Sequence, residues 1–207
     1  MTREEMRIKR ELKRAIEKDL LKPLSKRYGY KSIGGMPYCV HDDWLYTIYV
    51  SNTHDHIRMA LSVRPIAIDE AFWEVFEMKE EADKQPFSFH VNAAFVPYSF
   101  RLDDWKAPIT AVDDAEAVLE QAFVDANRKI AGYCEQLKTI SDFKELEKGN
   151  EPVNHLNVML CDIVMGDFES ALARVENELS QKHGGGFMSL KGGDIYEYVR
   201  RYCRERL

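Results

Sequence analysis

Ile57-Arg58-Met59-Ala60-Leu61-Ser62-Val63-Arg64 alternates apolar and polar side chains at a period of two, the pattern of a half-buried β-strand. It predicts Ile57, Met59, Leu61 and Val63 on a core face, and Arg58, Ser62 and Arg64 on the opposite face. Pro65 ends regular pairing, since it carries no backbone donor. Residues 87–96 repeat the alternation: Phe87, Phe89, Val91, Ala93 and Phe95 fall on one side, Ser88, His90 and Asn92 on the other. Upstream, Met36–His41 and Trp44–Ser51 flank Asp42-Asp43, a short polar turn that predicts a hairpin. These segments imply an antiparallel sheet of about four strands, with helices over one face.

Helical spacing surrounds the sheet. Ile8, Leu12, Ala15, Ile16, Leu20, Leu24 and Tyr28 form one apolar stripe, with Thr2 and Glu5 as a capping box. Pro23 predicts a kink or stop near Leu20–Lys22, and Gly29 suits a left-handed C-terminal residue. Asp69 is placed to cap a short helix carrying Phe72, Trp73 and Phe76. From Asp113 onward Val118, Leu119, Ala122, Phe123, Ala126, Ile130, Tyr133 and Leu137 predict a long helix. Further helices follow Pro152, Asp167 and Asp194. The fold class is therefore α+β: an N-terminal helix, a sheet with a helix inserted before its last strand, and an α-helical C-terminal half. Polar Ser141–Glu151 is the expected boundary between an α+β domain at 1–140 and a helical region at 150–207, joining either two domains or two parts of one.

Composition excludes several functions. In 207 residues, 45% hydrophobic and 31% charged, no apolar run reaches the roughly 20 residues that span a bilayer. Residues 1–5 lead into charged sequence without the apolar core of a secretory leader, so cytoplasmic residence and no membrane association are expected. Cys39, Cys134, Cys161 and Cys203 have neither zinc spacing nor the setting of a disulfide framework. The net charge of −6 conceals a first segment, through Lys31, of about +6. Its basic residues alternate with Glu4, Glu5, Glu11 and Glu17, and the acidic remainder repels phosphate, so no nucleic-acid partner is expected.

Two stretches resemble known families. Leu20-Leu21-Lys22-Pro23-Leu24, followed by Tyr28-Gly29-Tyr30-Lys31 and a hairpin, is similar to uncharacterised bacterial families in which an amphipathic helix and a glycine turn lead into an antiparallel sheet. Some of those are suspected immunity proteins, so the resemblance implies a bacterial cytosolic α+β domain and assigns no functional residue. Gly166-Asp167-Phe168-Glu169-Ser170-Ala171 resembles the turn and second-helix start of a tetratricopeptide unit. A single copy implies a helical hairpin and not a peptide-binding array, which needs about three repeats.

Candidate chemistry is thin. His54-Asp55-His56 places two imidazoles on one strand face, but a metal needs a third and usually a fourth ligand, with His41, His90 or Asp42 the nearest candidates. Two histidines in a polar turn explain the string as well, so no metal and no cofactor are expected. Asp103-Asp104-Trp105-Lys106 contains an Asp-x-Lys but fits a turn before Pro108. Lys182-His183-Gly184-Gly185-Gly186 offers an anion-binding nest or a plain helix terminator. The remaining surface is the polar side of the sheet, where Arg58, Arg64, His90 and Asn92 gather with Tyr49 and Tyr38, the residue types of a protein-binding face. The expected function is non-enzymatic protein binding in an immunity or adaptor role. The alternative is a small enzyme using that face or the His54/His56 turn.

Overall fold

The computed structural model describes residues 3–52, 56–92, 95–189 and 192–207. The chain opens with α1 (Arg3–Ala15), a π-helical turn (Ile16–Leu20) and α2 (Leu21–Arg27). Then come β1 (Lys31–Ile33), β2 (Met36–His41), β3 (Trp44–Asn52) and β4 (His56–Pro65). Helices α3 (Ile66–Val75), α4 (Lys79–Ala82) and α5 (Ser88–Asn92) precede β5 (Phe100–Pro108). The remainder is helical: α6 (Val112–Gln136), α7 (Ile140–Lys148), α8 (His155–Val164), α9 (Phe168–Ser180) and α10 (Ile195–Arg204). The fold is α+β, as the alternation and helix patterns predict. By contact it divides into unit 1, Met1–Val63 with Ser99–Glu135, and unit 2, Arg64–Tyr98 with Gln136–Leu207.

In unit 1 the five strands run in sequence order as one antiparallel sheet. The β1–β2 hairpin turns on Gly34-Gly35, both at positive φ, with Ile33 opposite Met36. That Gly-Gly pair is a strong two-residue hairpin signal, and it adds a strand to the four expected. Between β2 and β3, Asp42 itself takes the left-handed conformation at φ 51°, so the turn closes without a glycine. Ile57, Met59, Leu61 and Val63 are buried as expected. In β3, Trp44 through Ile48 are all buried, as suits the central strand of five.

The N-terminal stripe is realised with one adjustment. Leu12, Ile16, Leu21 and Leu24 are buried. The π turn inserts a residue and moves the stripe from Leu20 to Leu21. It lies just ahead of Pro23, whose ring crowds the carbonyl four residues back and whose nitrogen donates nothing. Helix α2 ends as Gly29 predicts: at φ 90°, Gly29 N–H donates to Lys26 O, and Tyr30 N–H to Ser25 O at 2.8 Å. The Thr2 cap lies outside the described residues. Helix α6 packs Phe123 against Tyr28 and Tyr30, at centroid distances of 5.5 and 5.3 Å.

Unit 2 corrects the second alternation. Residues 87–92 form no strand: after Pro86, Phe89 N–H donates to Pro86 O and His90 N–H to Phe87 O, and α5 follows. Phe87 is left 40% exposed, while Val91 is buried. The strand that pairs with β4 is β5, where Asp103 and Asp104 occupy ladder positions and not a turn. Its sequence, Phe-Arg-Leu-Asp-Asp-Trp-Lys-Ala-Pro, hides the period of two because it is an edge strand with no fully buried residue, and a register shift opposite Leu61/Ser62 interrupts the ladder. The polar Ser141–Glu151 stretch lies inside unit 2 and holds most of α7, capped by Thr139, whose hydroxyl accepts from Asp142 N–H. Asp167 caps α9 by accepting from Ser170 N–H, as expected. Asp69 lies inside α3, which Pro65 precedes, and does not cap it.

Candidate functional site

The expected polar sheet face does not assemble. Arg58 is exposed in unit 1, where its guanidinium chelates Asp104 and holds that carboxyl below its usual range. Tyr49 is 57% exposed. Arg64 belongs to unit 2 and is 3% exposed. His90 stands on α5 and not on a strand. Asn92 also falls on α5, and its side chain lies outside the described residues. His54 and Asp55 lie outside them too, and His56 starts β4.

What the structure does bring together is Arg64, Asp69 and His90. Arg64 Nε donates to Asp69 Oδ1 at 2.6 Å and its Nη2 to Oδ2 at 3.2 Å, while His90 Nδ1 meets Oδ2 at 2.9 Å. The His90 ring lies 4.7 Å from the Trp73 ring and 4.9 Å from that of Phe87. Asp69 is wholly buried, and two donors on one carboxylate are what a buried charge requires.

A second polar network threads α7, α8 and α9. Asn157 donates to Glu147 and, at 2.8 Å, to Tyr98 O. Burial pushes the Glu147 carboxyl up to about 7, against the opposing pull of the Asn157 hydrogen bond. Lys144 pairs with the buried Asp162. Glu178 is buried, with His183 Nδ1 at 3.0 Å and His155 Nδ1 at 3.6 Å. The cysteines are unpaired thiols, and burial pushes Cys39 up to about 12. Among the described residues no three His, Cys, Asp or Glu side chains converge to hold a metal, and no helix is long and apolar enough to cross a membrane. In the glycine stretch, Gly185 N–H donates at 2.7 Å to the chain's own Asp194, and a Cβ there would lie 2.1 Å from Ile195. That stretch therefore works as close packing against the start of α10.

The densest surface of recognition chemistry is α10. Ile195, Tyr196, Tyr198, Val199 and Cys203 are buried, the side that α10 turns into its unit. The other face carries Arg200, Arg201 and Arg204, which with Tyr198 and the Gly192-Gly193 backbone line a groove of about 470 Å³. Arg201 lies over the Tyr198 ring at 4.7 Å and Arg206 over Tyr202 at 3.4 Å. Glu77 pairs with Arg201, Glu176 with Arg204, and Glu74 accepts from Tyr202 Oη at 2.6 Å. The signal is present in Tyr196-Glu-Tyr198-Val-Arg200-Arg201-Tyr202-Cys-Arg204-Glu-Arg206, where arginine and tyrosine are concentrated. Comparison of the chain with protein-family models, curated proteins and solved structures yields no match.

Proposed function

We propose that this chain is a cytosolic, bacterial protein that acts by binding another protein, in an adaptor- or immunity-like role, through the arginine–tyrosine face of α10. The observation that carries this reading is the groove itself, where three arginines of one helix converge beside the ring of the largely buried Tyr198. Arginine and tyrosine dominate interface hot spots, because each combines a broad apolar contact with directed hydrogen bonds. Stacking of Arg201 on Tyr198 and the ion pairs of Arg201 with Glu77 and Arg204 with Glu176 hold two of these long side chains in advance, which reduces the ordering cost of association. Photo-crosslinking tests it: a benzoylphenylalanine at position 200 should give one discrete protein adduct in the native host, and one at position 49 none. An adduct formed at 49 and not at 200 would move the site to the sheet edge of unit 1.

A catalytic reading has one observation in its favour, the Asp69–His90 pair. Asp69 fixes Nδ1 of the imidazole, and among the described residues Nε2 has no partner, an arrangement that orients a general base. That reading requires turnover of some substrate to vanish in His90→Gln with the fold intact. Retained turnover in that variant rejects it.

A further inference from the structure

We infer that the arginine row of α1 docks a helix of a partner protein that carries carboxylates at the row's own spacing. This surface lies in unit 1, and the inference goes beyond the α10 reading and does not depend on it. Arg3, Arg7, Arg10 and Arg14 recur at intervals of four, three and four residues, and all are exposed. At about 100° per residue they fall within an arc of roughly 60°. The buried Leu12 stands on the opposite side of the helix. The row is not offset by its surroundings. With Met6 and Glu11 it lines a groove of about 390 Å³. Glu4 is matched by Arg7 at 2.6 Å, and Glu17 by Lys13, off the arc, at 3.7 Å. Among the described residues Arg3, Arg10 and Arg14 have no hydrogen-bond or ion-pair partner. Three free guanidinium groups thus face the one carboxylate of Glu11 in the groove.

Arginine at every position of the arc suits an oxyanion gripped by a fork of donors, where lysine offers only a point charge. Spacing then selects the carboxylates of a helix. The row rises about 16 Å along α1, and a partner helix with acidic residues at the same intervals sets one carboxylate against each guanidinium. The order four, three, four reads the same in both directions, so a parallel or an antiparallel partner serves. A helix about 10–12 Å across covers the row without reaching far beyond it. Met6, 36% exposed beside the arc, offers an apolar contact to the partner. A bilayer fits less well, because Leu12 and Ile16 are turned into the protein's own core and leave no apolar side to insert. A nucleic acid fits less well too, because a chain of net charge −6 repels a long polyanion.

The test uses the full chain and a fluorescein-labelled, alanine-based helical peptide with glutamates at intervals of four, three and four, read by anisotropy at an ionic strength of about 0.1 M. The peptide should bind. A peptide of the same composition with a glutamate at every fifth residue, which scatters them round the helix, should bind about tenfold more weakly. Oligothymidylate of equal charge, and vesicles of equimolar phosphatidylcholine and phosphatidylserine, should also bind more weakly than the matched peptide. Arg10→Gln and Arg14→Gln should each cost about tenfold, with Arg10→Lys between Arg10→Gln and wild type, because lysine keeps the charge and loses the fork. Lys13→Gln removes the same charge away from the arc and should cost less than about twofold. Absence of binding, equal affinity for the scattered peptide, preference for the oligonucleotide or the vesicles, or equal losses in Arg10→Gln and Lys13→Gln overturns the inference. A loss in Arg200→Gln without one in Arg10→Gln also overturns it, by moving the peptide to α10. Crosslinking at position 200 reads the α10 face separately, so either reading can fall while the other stands.

Discussion

The largest side chains sealed inside unit 1 are Tyr46, Phe123, Ile16, Leu24, Leu45, Ile48, Ile57, Met59 and Leu61, whereas unit 2 encloses Arg64, Asp69, Glu147, Asn157, Asp162 and Glu178 among its apolar residues. Among the described residues of unit 1 the buried polar residues, apart from tyrosines, are Ser25 and Thr47, and Ser25 donates to Leu21 O at 2.6 Å within its own helix. The first core is held by area and shape, which tolerate wide changes of pH. The second depends on every buried charge keeping its counterpart, so its stability is tied to protonation and to single partners.

The sharpest way to break this comparison is to remove one partner in each unit. Asp69→Ala should cost unit 2 about 3–5 kcal/mol, because Arg64 is left buried without its carboxylate. Phe123→Ala should cost unit 1 a similar 3–5 kcal/mol through the cavity it opens. The contrast lies in rescue. Replacing Arg64 and Asp69 together by Met and Leu should restore most of the loss, whereas no second substitution refills the Phe123 site so simply. Urea unfolding read by Trp73, the one tryptophan of unit 2, separates it from Trp44 and Trp105 in unit 1. A double variant as unstable as Asp69→Ala would show that the pair is not the source of the cost.

Next in size is the pH response. The Glu147 carboxyl titrates at about 7 in the folded chain against 4.5 when unperturbed. Below 4.5 both states hold the proton; between these values the folded state keeps it while the unfolded state releases it. Stability therefore falls as pH rises from 4.5 to about 7, by about 3 kcal/mol, and then levels off. Glu147→Gln should flatten the slope at Trp73 and leave the unit 1 signal unchanged. A slope that persists in the glutamine variant would assign it to another group.

Smaller still, Thr139→Ala removes the α7 cap and should cost about 1 kcal/mol, seen as a lower urea midpoint at Trp73. Smallest of all, Arg58→Ala should leave the midpoint of unit 1 where it is, since the Arg58–Asp104 pair is exposed. A measurable drop would mean that this surface pair contributes to the sheet as buried pairs do.

The sequence was most legible where burial is one-sided. The stripe through Leu12, Ile16 and Leu24, the strand at Ile57–Val63, the cap at Asp167 and the final helix from about Asp194 each follow from local pattern alone. Phe87–Phe95 misled because a period of two over so few residues also fits a helical turn, and only the pairing of β4 with β5 decides between them. Phe100–Pro108 was hidden for the opposite reason: an edge strand exposed on alternate positions carries charge where a strand pattern expects apolar residues. Site chemistry was less readable. Arg64 reads as an exposed strand residue until Asp69 and His90, five and twenty-six positions on, are seen to enclose it. The α10 row was visible as composition, but its role as a lined groove depends on Gly192-Gly193 folding back over the helix start.

The interleaving of the two units has a consequence for synthesis on the ribosome. The chain passes from unit 1 to unit 2 after Val63, returns at Ser99 and leaves again after Glu135. Strand β4 is thus finished 35 residues before its partner β5 begins to emerge, an interval of roughly 2–7 s at about 5–20 residues per second. During that interval the nascent sheet carries an open edge on β4, where Ile57, Met59, Leu61 and Val63 are to be buried, and the segment being made belongs to the other unit. Neither unit is complete on the nascent chain until Glu135 has cleared the tunnel, so slow codons placed within residues 64–98 should prolong the exposure and raise the aggregated fraction.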